Sequence, residues 1–281
     1  MSIVSSNFNL TFGANQLLRL DRELGTTSLR LSTGSKVNNA GDNPTGIMVL
    51  SEFSAQISGI RTATSNAEQT DSLLKTADGL LSEIRDILLE MRDTALVAAN
   101  DATLTLADYA NLDSAYQAFL TDIDAKANSG EYNNTVLLDG TYATPGKSAH
   151  IGPNPGDSIA IIIASALTTD LGGGSLVGTD VTSAGNAGAA VTAIDTALDD
   201  LNANQASVGA TMTRVEDAIN GLGTQEINMT AAYSSISDAD MASEIAYFAK
   251  LQILSDSTTA VMAQANNTSQ RVIGILDKLN S

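Results

Sequence analysis

Leucines recur seven residues apart near the start of the chain, at Leu10, Leu17, Leu24 and Leu31, with Leu20 beside them. A 3-4 apolar spacing closes the chain, through Tyr247, Leu251, Leu254, Val261, Ala265, Val272, Ile275 and Leu279. A period near 3.5 marks helices that bury a narrow stripe against another helix. Both ends therefore read as coiled-coil helices, and the chain folds back on itself. The first helix is expected over residues 7–32, closed by Ser32-Thr33-Gly34-Ser35. Pro44 suits a first helical turn and opens a helix to about residue 99, its seam clearest at Leu73, Ala77, Leu80, Ile84, Ile87, Met91 and Ala98. Tyr109, Leu112, Tyr116, Phe119 and Ile123 repeat the spacing until Asn128-Ser129-Gly130 ends that helix.

Residues 131–186 change character, rich in Gly, Thr, Ser and Pro. Two β-like runs, 135–138 and 158–164, predict one small antiparallel hairpin unit followed by a Gly172-Gly173-Gly174 linker. A second long helix, expected over about 187–235, keeps an apolar seam interrupted only by Gln205 and Glu226. At about 1.5 Å per residue it would span roughly 70 Å, so it must lie along a partner. The predicted fold class is mainly α: an elongated rod of long antiparallel helices, with terminal coiled-coil helices and a small β-hairpin unit in the middle. Residues 1–41 with 235–281 make the terminal coiled-coil domain, and residues 42–234 the helical rod domain.

Composition sharpens this. Of the 281 residues 43% are apolar but only 4% aromatic, with no Trp, which fits an Ala/Leu/Ile helix core rather than an enzyme core. The net charge of −18, with no basic run interleaved with aromatics, argues against nucleic acid and anionic membranes as partners. The charge is uneven: residues 1–36 hold four basic and two acidic side chains, residues 241–281 hold three of each, and between Arg92 and Arg214 the only bases are Lys126 and Lys147. Near-neutral ends and an acidic middle suit copies that pack through their ends and stay soluble outside. No apolar run reaches the length of a membrane span, and no cleavable signal precedes the first helix. The expectation is a protein that stays in the cytosol or leaves by a route that reads no cleaved signal.

Candidate chemistry is thin. His150 is the sole histidine and there is no Cys, which excludes the two-histidine zinc helix motif and thiolate chemistry. Asp122/Asp124, Asp199/Asp200 and Asp238/Asp240 are carboxylate pairs better read as solvated helix faces or helix caps than as acid and base. Asn9, Asn133, Asn228 and Asn266 begin N-glycosylation patterns, read as chance without a secretory signal. No catalytic residue, cofactor or metal is expected. The terminal seams bury little area within one chain, so they are expected to order only when other copies pack against them.

Residues 29–40, Leu-Arg-Leu-Ser-Thr-Gly-Ser-Lys-Val-Asn-Asn-Ala, followed by Asp42 and Gly46, resemble the opening block of bacterial flagellin. Residues 235–242, Ser-Ile-Ser-Asp-Ala-Asp-Met-Ala, are similar to a second flagellin block, and residues 250–254 and 261–266 continue the match in order. The resemblance implies a secreted, extracellular filament subunit whose terminal helices form the inner tube, a short form without inserted outer domains. It places the family's hairpin strands at residues 151–154 and 158–164. It further implies a helical homopolymer, the filament cap, the hook-filament junction protein, the flagellar export apparatus and an export chaperone as partners. In the stretch that the vertebrate toll-like receptor senses in this family, Met91 and Arg92 stand here beside Glu90 in place of a base and Thr94 in place of a leucine, which implies weak recognition. The nearest alternative is the hook-filament junction protein itself, which shares such ends. An enzyme carried on this scaffold would need an inserted domain with ligands that one His cannot supply, and an intracellular coiled-coil scaffold leaves both blocks unexplained.

Overall fold

The computed structural model describes residues 8–143 and 145–279, and their side chains over residues 11–143, 145–268, 270 and 271. Five long helices carry the fold: α1 (Phe8–Thr33), α2 (Pro44–Ala98), α3 (Leu106–Ser129), α4 (Ala184–Ser237) and α5 (Met241–Leu279). Between α3 and α4 lie β1 (Glu131–Tyr132), β2 (Thr135–Val136), β3 (Lys147–His150) and β4 (Ser158–Ile161). Residues 1–55 with 228–281 form one compact unit and residues 56–227 another. The loop read from sequence at residues 34–43 separates α1 from α2, whereas α2 and α4 run unbroken past these divisions and give residues to both units.

In the 56–227 unit the core follows the helical period. On α2 the buried line runs Leu74, Ala77, Leu81, Ile84, Leu88, Met91, Ala95 and Ala98; on α4 it runs Ala187, Ala190, Ile194, Ala197, Leu201, Asn204, Val208, Thr211 and Val215. Both alternate steps of three and four, the spacing that keeps one stripe facing its neighbour. Tyr109, Tyr116, Ile123 and Ala127 supply the face of α3. Polar pairs fix the order: Arg61 to Glu226 at 2.6 Å, Gln205 Nε2 donating to Ser82 Oγ at 3.1 Å, and Arg92 Nε donating to Asp195 at 2.6 Å. Their numbers run in opposite directions, so α2 and α4 are antiparallel. Gln205 and Glu226 interrupt the apolar seam because each has a partner on α2. α3 starts in a capping box in which Thr105 and Asp108 bond reciprocally, which holds the Asp108 carboxyl below its usual 3.8.

The middle region departs from the expected single hairpin. β2 pairs with β1 and β4 with β3, which makes two two-stranded antiparallel sheets among the described residues. The reason is local: Asn133 and Asn134 both sit at positive φ, the backbone a two-residue turn of matching twist needs. No backbone hydrogen bond among the described residues joins runs 135–138 and 158–164; the Ala166 N to Leu138 O bond of 2.9 Å lies just past the second run. Ile151 and Pro153, expected in a strand, belong to the turn of the second hairpin, closed by Ile151 N to Asp157 O at 2.9 Å. Gly172, Gly173 and Gly174 all take positive φ and form a tight turn between buried Leu171 and Leu176, so they are no loose linker. The region is fastened to the helices. Asn204 accepts from Ala164 N at 3.1 Å and donates to Ala164 O at 3.0 Å, Asp124 takes two bonds from Thr168 at 2.9 Å, and the Gly172 amide donates to Asp200 at 2.9 Å.

Candidate assembly surface

In the other unit α1 and α5 pack as an antiparallel pair. Gly13 lies against Met262, the Tyr247 hydroxyl donates to Glu23 at 3.1 Å, and Arg30 faces Glu244 at 3.7 Å. A Cβ on Gly13 would stand 2.6 Å from Met262 Cγ, so this close approach depends on glycine. The buried line of α1 is Gly13, Leu20 and Thr27, seven apart; Leu17, Leu24 and Leu31 form a second line beside it and are half-buried. On α5 the inward line is Glu244, Phe248, Leu251, Ser255, Thr258, Met262 and Ala265. Of the expected assembly residues, Leu20 and Leu251 are buried at 4% and 2% exposure, whereas Leu254 and Val261 stay 41% and 67% exposed. Tyr247, Ile245, Ile253, Leu18 and Leu29 are exposed as well. The side chains of Leu10, Val272, Ile275 and Leu279 lie outside the described residues.

The pair is therefore an apolar surface with a thin interior. Arg30 and Glu244 do not repair that, because Arg30 Nε and Glu244 Oε1 are buried without a hydrogen bond among the described residues and 3.7 Å exceeds bonding range. Along one side of the pair run two clefts. One, of about 340 Å³, is lined by Gly13 and Gln16 with Leu254, Val261 and Met262. The other, of about 510 Å³, is lined by Arg19, Arg22, Glu23, Arg30 and Tyr247. The Glu23 carboxylate pushes the Tyr247 hydroxyl above its usual pKa.

The two blocks that carried the sequence resemblance meet at the end of this pair. Ser35 bridges Asp238 in antiparallel fashion, with Lys36 N donating to Ser237 O at 2.7 Å and Ala239 N to Gly34 O at 2.8 Å. Ser35 Oγ donates to Ser237 O at 2.9 Å, and Lys36 Nζ to Ser235 O at 2.7 Å. Asp42 accepts from the amides of Asn38 and Asn39, Asp240 caps α5 through the amides of Ala242 and Ser243, and Ser234 bonds Asp238. Gly34 sits at φ 69°, where α1 stops. Nothing in the spacing of either block announces its contact with the other; the signal is only that both are dense in small polar and turn-forming residues.

The remaining candidates lie elsewhere. Met91 is buried, Glu90 is exposed, Thr94 bonds the carbonyl of its own helix at Glu90, and Arg92 is held by Asp195, which raises its pKa. The carbonyl of exposed His150 accepts from Asn66 Nδ2 at 3.3 Å. Of the carboxylate pairs, Asp124, Asp200, Asp238 and Asp240 hold backbone or hydroxyl groups in the bonds described above. Among the described residues no three His, Asp or Glu gather as a metal site, and no helix is long and apolar enough to cross a membrane.

Both ends of the sequence match a known family. Residues 4–143 match the model of the bacterial flagellin N-terminal helical region, and residues 191–276 that of the flagellin C-terminal helical region. The chain is 30% identical to the flagellar filament 30.7 kDa core protein of Treponema maltophilum, over 98% of this chain and 99% of that one. It is 34% identical to the flagellin of Bacillus subtilis over 88% of this chain and 90% of that one. The crystal structure of Bacillus cereus flagellin is 32% identical, covers 60% of this chain and 94% of that chain, and superimposes with a TM-score of 0.49.

Proposed function

We propose, from the premise that this chain belongs to the bacterial flagellin family and is a structural subunit of the extracellular flagellar filament, that copies pack through the α1/α5 pair. One observation carries the reading: a helix pair that, among its described large apolar side chains, buries only Leu20 and Leu251 leaves Leu18, Ile245, Ile253, Leu254 and Val261 in water. Apolar surface left along a helix pair is stabilised when an identical neighbour covers it. Leu10, Leu17, Leu20, Leu24, Leu31, Tyr247, Leu251, Leu254, Val261, Ala265, Val272, Ile275 and Leu279 are the residues assigned to this packing. The 56–227 unit, with its own continuous core, supplies the rigid part of the subunit.

Relatives matched along nearly their whole length are named as a flagellar filament core protein and a flagellin, which favours the filament over the hook-filament junction. The same reading takes the filament cap, the junction protein, the export apparatus and an export chaperone as partners, and assigns the chain no reaction. For the toll-like receptor it gives weak activation, since Glu90 and Thr94 break the family stretch and Arg92 is engaged by Asp195; normal potency in a reporter-cell assay would count against it. The test of the packing surface is deletion of residues 1–36. Seeded polymerisation should disappear while the helical circular dichroism of the 56–227 unit remains; polymer formed by the shortened chain contradicts the assignment.

A further inference from the structure

The two sides of the terminal pair are not alike in charge. On α1 the stripe Gln16, Arg19, Glu23, Thr26 and Arg30 alternates steps of three and four, and on α5 Tyr247, Lys250, Leu254, Ser257 and Val261 do the same. The Tyr247–Glu23 bond and the linings of both clefts put these two stripes on one side. Glu23 accepts from Tyr247 and Arg30 lies 3.7 Å from Glu244, whereas Arg19, Arg22 and Lys250 have no acidic partner among the described residues. The opposite side carries Leu17, Asp21, Leu24 and Leu31 on α1, and Ile245, Gln252 and Asp256 on α5. Its charged groups, Asp21 and Asp256, are exposed and unmatched by any base on those stripes.

The ends of the chain are thus near neutral as a sum but split into a basic flank and an acidic flank, each interleaved with apolar side chains. Like flank against like flank would set base on base or acid on acid, which opposes a two-fold dimer. Basic flank on acidic flank brings opposite charges and leaves a free flank of each kind on the growing assembly. We infer that the cleft-bearing flank of one copy receives the acidic flank of the next, with Arg19 and Lys250 facing Asp21 and Asp256. The split selects open head-to-tail growth over closed dimers. This rests on the α1/α5 pair being the packing surface.

The experiment uses the full chain, monomerised and then seeded. Two variants are made, D21K/D256K and R19E/K250E. Each then presents flanks of the same sign, and its critical concentration is expected to rise about tenfold or more with monomer helicity unchanged, because the substituted positions are exposed. An equimolar mixture should polymerise again, since every flank meets its opposite on the other variant, and so should the fourfold variant that exchanges both flanks. Should a reversed pair lose helicity, the neutral D21N/D256N variant replaces it, with an expected rise of about threefold. The inference is overturned if the single-flank variants polymerise like the wild type, or if neither the mixture nor the fourfold variant recovers while the wild type grows. A failure of the packing surface itself has a different signature: the chain lacking residues 1–36 would polymerise.

Discussion

Replacing Leu254 and Val261 together by Ala separates packing within a subunit from packing between subunits. In the single chain these side chains remain 41% and 67% exposed, so the area still to be buried is about half of each. Full burial of a Leu or Val side chain stabilises by about 1.5–3 kcal/mol. The uncovered share of the two then amounts to about 2–3 kcal/mol, of which truncation to Ala removes roughly half to two thirds. A loss of about 1–2 kcal/mol per added subunit corresponds to a critical concentration raised about five- to thirtyfold. Sedimentation of seeded polymer across a concentration series reads that number, and circular dichroism of the unseeded protein should be unchanged. Leu251→Ala is the contrast, because at 2% exposure its side chain is covered within the pair, so its loss should raise the critical concentration by weakening the pair itself. A double variant that polymerises at the wild-type concentration would show that this stripe faces water in the filament and would refute the reasoning.

Asn204→Ala removes both hydrogen bonds that fasten Ala164 to α4. At about 0.5–1.5 kcal/mol per bond the expected loss is roughly 1–3 kcal/mol, read from the urea midpoint; a change under about 0.3 kcal/mol would mean the segment is held by packing alone. Asp108, Asp139 and Asp180 are held below their usual 3.8 chiefly by hydrogen bonds from Thr105, Thr141 and Thr182 with Asn186. A carboxylate with a lowered folded pKa stabilises fully above its unfolded value, and the contribution is lost as pH falls through the folded value. Stability from these caps should thus hold at neutral pH and disappear below 3.8. Wild type should lose more than Asp108→Asn over that acid range, and parallel acid titrations of the two would contradict the capping account.

The helices were legible because each long stripe keeps one period. Pro44 and the Asn128-Ser129-Gly130 stop stand where the sequence put them, whereas the α2 seam read through Leu80 and Ile87 runs through Leu81 and Leu88, with Leu80 and Ile87 half-buried beside it. What stayed hidden depends on facts about partners. Both Leu10-type leucines and the Gly13, Leu20, Thr27 line recur every seven residues, and only the position of α5 decides which line turns inward. The same ambiguity makes Tyr247, Leu254 and Val261 read as one seam with Leu251, although the inward line on α5 runs through Glu244, Phe248 and Ser255. Gln205, Glu226 and Asn204 look like faults in an apolar pattern until Ser82, Arg61 and Ala164 are seen opposite them. For the hairpins, residues short enough to be strands do not name their partners, yet Asn133-Asn134 is a local turn signal that the sequence carries and that favours adjacent pairing.

Hydrogen exchange of the terminal helices, in dilute monomer and in polymer, tests the central claim most directly. A pair with so little buried apolar surface cannot offset an ordering cost of about 1–2 kcal/mol per residue by itself. Amides of α1 and α5 should therefore exchange fast in the monomer, far ahead of those lining Leu81, Ile84 and Leu201, and become protected once the chain is polymerised. Equal protection of the terminal helices in both states would contradict the account.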